Sequence, residues 1–146
     1  MIKIRSASEQ DIPALVNLSW ALNAAFDCPV APEETALARN WGQIDALVAE
    51  ADGAIVGFMA GTENFLLHMG RSIYTLHSLF VAPAYRQQGI TRRLFEALCD
   101  DLRRRNVFKI TVQVGKENDN ARAIYEALGA VESPHAQWHT TMEYYL

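Results

Sequence analysis

Two cysteines in 146 residues, Cys28 and Cys99, are too few and too far apart to staple a small fold or to hold a metal. His68, His135 and His139 have no ligand-like spacing with one another or with either cysteine, so no metal is expected. Long apolar runs are also missing, although half the residues are hydrophobic, and no membrane span or membrane partner is expected. The N-terminal stretch carries Lys3, Arg5, Glu9 and Asp11 and lacks the apolar block of a signal peptide, which makes a cytoplasmic location the expectation. There are no repeats, no low-complexity tract and no linker rich in Gly, Pro or Ser, so residues 1–146 read as a single domain able to bury a core. An excess of positive charge is absent too: the net charge is −4, against a nucleic-acid-coating surface and a nucleic-acid partner.

What the chain does contain is concentrated in Leu79–Leu98, "LFVAPAYRQQGITRRLFEAL": an apolar strand, a turn and a basic glycine loop running into an amphipathic helix. Such a loop leaves the first N–H groups of the helix pointing at one spot, where the helix dipole also favours negative charge. Arg86, Gln87, Gln88, Gly89, Ile90 and Thr91 form the loop, and Arg92 and Arg93 add cations in the first turn, an unfavourable place unless an anion is bound. A phosphate-bearing ligand is the reading.

A second segment is "ENDNARAIYEALGA", Glu117–Ala130. Asn118 and Tyr125 are seven residues apart, nearly two helical turns, with the small Ala121 between them on the same stripe. A small residue between two polar ones leaves a groove.

Arg86-Gln87-Gln88-Gly89-Ile90-Thr91 resembles the pyrophosphate loop, Arg/Gln-x-x-Gly-x-Gly/Ala, of the GNAT superfamily of N-acetyltransferases. Asn118, Ala121, Tyr125 and Gly129 resemble its Asn-x-x-Ala-x-x-x-Tyr segment and the Gly that follows. The likeness runs from "IKIRSASEQDIPALVNL" to the closing residues, and the second half also resembles the spermidine/spermine acetyltransferase branch. Thr91 departs from the pattern, placing a β-branched side chain where the backbone must approach pyrophosphate. The resemblance implies an α/β fold of three layers whose central mixed, mostly antiparallel sheet is split between strands four and five. It also implies acetyl-CoA as cosubstrate, a primary amine of a small molecule as acceptor, and a homodimer paired through its closing strands.

Hydrophobic periodicity supplies the elements. Ile2–Arg5 alternates as a strand; Ser8 or Asp11 can cap a helix with Ile12, Leu15, Leu18 and Leu22 at helical spacing. Pro29 and Pro32 break it and open a second helix through Trp41, and Asp45–Glu50 and Ala54–Gly61 flank the hairpin dipeptide Asp52-Gly53. The fourth strand, Ile73–Ala82, reads as apolar on both faces, with Ile73, Leu79 and Val81 on one and Tyr74, Leu76 and Phe80 on the other. A helix from Ile90 carries Leu94, Leu98 and Leu102 on one stripe, Lys109–Val114 follows as a parallel strand, and Gln137–Tyr145 is expected to close the sheet.

The resemblance implies that pantetheine is bonded by the main chain around Leu79, Phe80 and Val81 and by Asn118, in the groove at Ala121. Pyrophosphate falls to the amides of Gln88–Arg92, and Tyr125 protonates the leaving thiolate. His77 stands near the level at which the family places a general base and its imidazole suits proton transfer near neutrality, with an ordered water as the alternative base. Each has a plainer role as well: Asn118 as a helix cap, Tyr125 as a half-buried aromatic, His77 as a hydrogen-bonded core residue. The three tryptophans read as core or pocket wall, and the acceptor is expected beside residues 23–34 and Trp138. Two alternatives are a non-catalytic CoA-binding domain and an acetyltransferase acting on a protein N-terminus.

Overall fold

The sheet grows from the Asp52-Gly53 turn. In the computed structural model, which describes residues 1–146, Asp52 (φ 49°) and Gly53 (φ 80°) are both left-handed, as the tight hairpin turn between right-twisted strands requires. They join β2 (Asp45–Ala51) to β3 (Ala54–Leu66). β1 (Ile2–Ser6) pairs antiparallel with β2, β4 (Arg71–Val81) antiparallel with β3, and β5 (Lys109–Val112) parallel with β4. The order is β1-β2-β3-β4-β5, a mixed and mostly antiparallel sheet. Two compact units divide the chain, Met1–Gln113 and Val114–Leu146, and the whole sheet lies in the first.

Helices cover both faces of the sheet. α1 (Ile12–Ala25) sets Leu15 against Val48, Phe58 and Phe80, three residues brought into line across β2, β3 and β4 by the strand register. Trp41, in a 3₁₀ turn after the short α2 (Glu34–Arg39), packs on the same cluster, whereas Trp20 and Trp138 are exposed and line no core. On the other face α3 (Ile90–Arg104) buries Ile90, Leu94, Leu98 and Leu102, the stripe its periodicity predicts, at about 2 kcal/mol a side chain. Arg5 anchors the entry to α1 by a fork onto the buried Asp11, at 2.8 and 2.9 Å, and reaches Glu50 at 2.9 Å. That guanidinium, helped by the Ser8 amide, holds the Asp11 carboxyl down to about 2 against its desolvation.

One expectation about the fourth strand is corrected. Ala60 pairs with Ser78 but Gly61 pairs with Leu76, so His77 is an extra residue, a β-bulge. The bulge resets the alternation. Leu79 and Val81 therefore share the α3 face with Leu76 and Tyr74, while Phe80 shares the α1 face with Thr75 and Ile73. Gly61 is where the bulge becomes possible: a Cβ there would stand 2.1 Å from the Thr75 carbonyl oxygen and 2.7 Å from the Tyr74 ring. Tyr74 is fully buried and donates its hydroxyl proton to the Asp45 carbonyl at 2.8 Å, and burial pushes that hydroxyl's pKa well up.

The second unit is built on α4 (Asp119–Ala127). Asn118 caps its start, Oδ1 accepting the Ala121 N–H at 3.1 Å. At its end Gly129 (φ 97°) donates to Glu126 and Ala130 donates to Tyr125, a Schellman closure. The closing strand expected at Gln137–Tyr145 is not formed: residues 134–138 turn and 139–146 pair with no strand. A strand has no hydrogen bonds of its own, and without a neighbour its alternating pattern specifies nothing.

Candidate functional site

β4 loses its neighbour halfway along. Its pairing with β5 covers Ile73–Leu76 only, so from His77 onward the β5 side of the strand is an open edge. The split begins at the bulge. The Ala82 amide donates to the Val56 carbonyl across β3 at 2.8 Å, and by alternation the backbone of Phe80 faces β3 while that of Leu79 and Val81 faces the open edge. Of the three main-chain positions read from the sequence, Leu79 and the Val81 amide are thus presented for bonding, the Val81 carbonyl accepting from Arg86 Nε, and the Phe80 ring is core.

Beyond the strand, a 3₁₀ turn at Pro83–Tyr85 leads into the loop. Gln87 (φ 61°) and Gly89 (φ 75°) are left-handed, and Gly89 is the residue before α3. The first bond of the helix runs from the Arg93 amide to the Gly89 carbonyl, so the amides of Ile90 and Thr91 precede it and lie at the positive end of the dipole. Thr91 is half-buried and Gln87, Gln88 and Arg92 are exposed. Two arginines are committed within the protein: Arg86 donates from Nε to the Val81 carbonyl at 2.8 Å with its guanidinium over the Phe80 ring, and Arg93 donates to the Ile2 carbonyl at 2.8 Å. Arg86 is thus a splint between strand end and loop, a function the motif does not announce.

His77 is neither a core residue nor on the face of Leu79 and Val81, as its place in the sequence suggested. It is exposed, and its Nε2 lies 3.1 Å from Thr62 Oγ1. Thr62 pairs with Thr75, and Asn64 donates to Thr75 Oγ1 at 3.3 Å, so a polar row of Thr62, Asn64, Thr75 and His77 continues the α1 face beyond its apolar part. Sequence reading missed Thr62; its only signal is an even spacing from Phe58 and Ala60, which the bulge opposite turns into contact with His77.

Thr62 also borders a cleft of about 670 Å³ where β3 runs on past the start of β2. Its carboxylates are tied to one cation: Arg105 reaches Asp45 at 2.5 Å, Asp101 at 3.0 Å and Glu63 at 3.8 Å. The loop after α1 is pinned by Asn23, which donates to the Val30 carbonyl at 3.0 Å. Within the second unit, Ala121, Tyr125 and Leu128 are the half-buried stripe of α4, in line with the capping Asn118. The Tyr125 hydroxyl makes no hydrogen bond within the chain, and burial raises its pKa. No group of three or more His, Cys, Asp or Glu side chains is placed to hold a metal, and no helix is long and apolar enough to cross a membrane.

Residues 15–130 match the sequence profile of the acetyltransferase (GNAT) family. An uncharacterized N-acetyltransferase of Archaeoglobus fulgidus is 36% identical over 80 residues, 54% of this chain and 54% of that protein. The [ribosomal protein bS18]-alanine N-acetyltransferase of Escherichia coli K12 is 41% identical over 59 residues, 40% of each chain. The chain thus spans about half the length or less of these curated relatives. Among solved structures, an aminoglycoside acetyltransferase from an uncultured soil metagenomic sample superposes with a TM-score of 0.80 at 25% identity, over 99% of both chains.

Proposed function

The chain belongs to the acetyltransferase (GNAT) family, and from that premise we propose that it is an acetyl-CoA-dependent N-acetyltransferase whose acceptor is the primary amine of a small molecule. The observation that carries the reading is the coincidence, in β4, of an open strand edge, a bulged histidine at its start and an anion-type helix entry at its end. The family profile crosses the boundary at residues 113 and 114, which supports residues 1–146 acting as one N-acetyltransferase domain.

Acetyl-CoA supplies an activated acyl thioester. The amides of Gln88, Gly89, Ile90, Thr91 and Arg92 suit its pyrophosphate, and Gly89 gives that loop a left-handed turn no side chain would favour. Thr91, in the second helical position, adds a hydroxyl donor. The outward backbone of Leu79 and the Val81 amide suit pantetheine amides and a carbonyl oxygen, and in the second unit Asn118 and Ala121 offer a cap side chain and a small neighbour. His77 takes a proton from the attacking amine, and Tyr125, whose hydroxyl has no partner to give up, donates one to the departing sulfur. Positioning supplies much of the rate.

The acceptor separates two versions of the reading. A small amine is favoured by the 25% identical neighbour described as an aminoglycoside acetyltransferase, a protein N-terminus by the relative described as acting on a ribosomal-protein alanine. We take the small amine as acceptor, reached from the side of residues 23–34 and the polar row on β3 and β4. Homodimerisation is part of the proposal, because Val131, Trp138, Met142, Tyr144, Tyr145 and Leu146 are all exposed in the second unit and ask for cover. The test offers acetyl-CoA with two acceptor panels, small amines and short peptides with free N-termini, and identifies acetylated products by mass. Acetylated small amines support the proposal; acetylation confined to peptides replaces the acceptor class, and none with either panel leaves a CoA-binding domain.

A further inference from the structure

We propose that Thr62 is the positioning residue of His77, fixing which ring nitrogen works: Thr62 Oγ1 accepts the Nε2 proton, and the Nδ1 lone pair takes the proton from the amine. The inference rests on His77 being the base. A neutral imidazole has one N–H and one lone pair. The 3.1 Å contact engages Nε2 with Thr62 Oγ1. Were the threonine to donate, the lone pair would be spent on it and Nδ1 would carry the hydrogen, leaving no nitrogen to receive a proton. A base at this position therefore requires Nε2–H donating to Thr62.

The arrangement balances through the proton transfer. The amine nitrogen forms its bond to the acyl carbon and loses a proton, Nδ1 gains that proton, and the imidazolium keeps Nε2–H on the same threonine oxygen. Nothing need turn over. Two features of the sheet hold the pair. The bulge brings His77 to the α1 face, and the Thr62–Thr75 register sets the threonine beside it. Asn64 donates to Thr75 Oγ1 rather than to Thr62, which leaves the Thr62 oxygen free to accept from the histidine.

Thr62→Val keeps the shape and the strand preference and deletes the acceptor. The first readout is the ¹⁵N spectrum of the His77 imidazole in its neutral form, assigned by its loss in His77→Gln. We expect Nε2 to carry the hydrogen in the wild type and in Thr62→Ser, and a mixture of tautomers in Thr62→Val. A hydrogen on Nδ1 in the wild type, or a spectrum that Thr62→Val leaves unchanged, overturns the proposal. The second readout is turnover with the best acceptor from the panels. We expect Thr62→Val to lower kcat about tenfold with the KM for acetyl-CoA unmoved, Thr62→Ser to restore it, and Thr62→Val to cost nothing more in a His77→Gln background. A full loss in that background means that Thr62 acts without the histidine, and wild-type kcat in Thr62→Val removes it from the reaction. Should His77→Gln itself turn over at the wild-type rate, the base assignment fails; a slow His77→Gln beside a silent Thr62→Val sinks only the role of Thr62.

Discussion

Gly61→Ala puts the smallest possible side chain into the tightest place in the sheet. Its Cβ would lie 2.1 Å from the Thr75 carbonyl oxygen and 2.7 and 2.8 Å from two atoms of the Tyr74 ring. Neither neighbour can yield cheaply. The carbonyl belongs to the β3–β4 ladder, and the ring is fully buried and held by its hydrogen bond to the Asp45 carbonyl. Relief of about 1 Å has to come from the backbone, which places the cost at the upper end for overpacking, about 3 kcal/mol. At this chain length that lowers the melting temperature by about 10 °C. Gly57→Ala is the control, because its Cβ would meet the Phe80 carbonyl at 3.1 Å and a Val81 methyl at 3.2 Å, contacts that a few tenths of an ångström relieve. It should cost about 1 kcal/mol. Thermal unfolding by circular dichroism reads both. A Gly61→Ala protein melting within 1 °C of wild type would refute the close approach and, with it, the bulge that turns His77 to the α1 face.

Other expectations follow from single contacts. Asp11, held down to about 2 first by the Arg5 hydrogen bonds, contributes stability that is complete above about pH 4 and is lost as the pH falls towards 2; the integrated effect is about 2 kcal/mol. Asp11→Asn should flatten that slope in urea unfolding measured from pH 5 to 2, and an unchanged slope would contradict the assignment. A Cβ at Gly89 meets no atom within 4 Å, but Gly89→Val forces a β-branched residue to φ 75°, so acetyl-CoA binding by calorimetry should weaken while most of the fold remains. Equal affinity would remove the loop from the site. Tyr125→Phe keeps the ring and deletes the donor, and should lower kcat and kcat/KM together by about a hundredfold with acetyl-CoA affinity unmoved. Wild-type turnover would make Tyr125 a packing residue, the role its half-burial also allows.

Local chemistry made much of this legible from sequence. Asp52-Gly53 demands a left-handed turn, and the Leu94, Leu98, Leu102 spacing makes one buried face, so hairpin and helix appear where the residues predict them. Gly89 before Ile90 marks a left-handed turn into the helix, and the Asn118 to Gly129 spacing frames α4 with its cap and its Schellman turn. What was hidden depends on partners distant in sequence. The bulge at His77 is written in Gly61 and Tyr74 only once β3 and β4 are in register, and a single extra residue exchanges the faces of everything beyond it. Arg86 reads from sequence as a residue of the loop, and that its Nε also ties the loop to the Val81 carbonyl appears only in the fold. Residues 137–145 alternate like a strand, yet alternation without a neighbouring edge does not make one.

The central claim is acetyl transfer to a small amine, and the measurement closest to it is the stoichiometry of free thiol to acetylated amine in a single reaction with acetyl-CoA. The account predicts one thiol released for each acetylated small amine, with release falling to background when the amine is omitted and slowed in both His77→Gln and Tyr125→Phe. Thiol release that ignores the amine, or no acetylated small amine at any acceptor concentration, would contradict it.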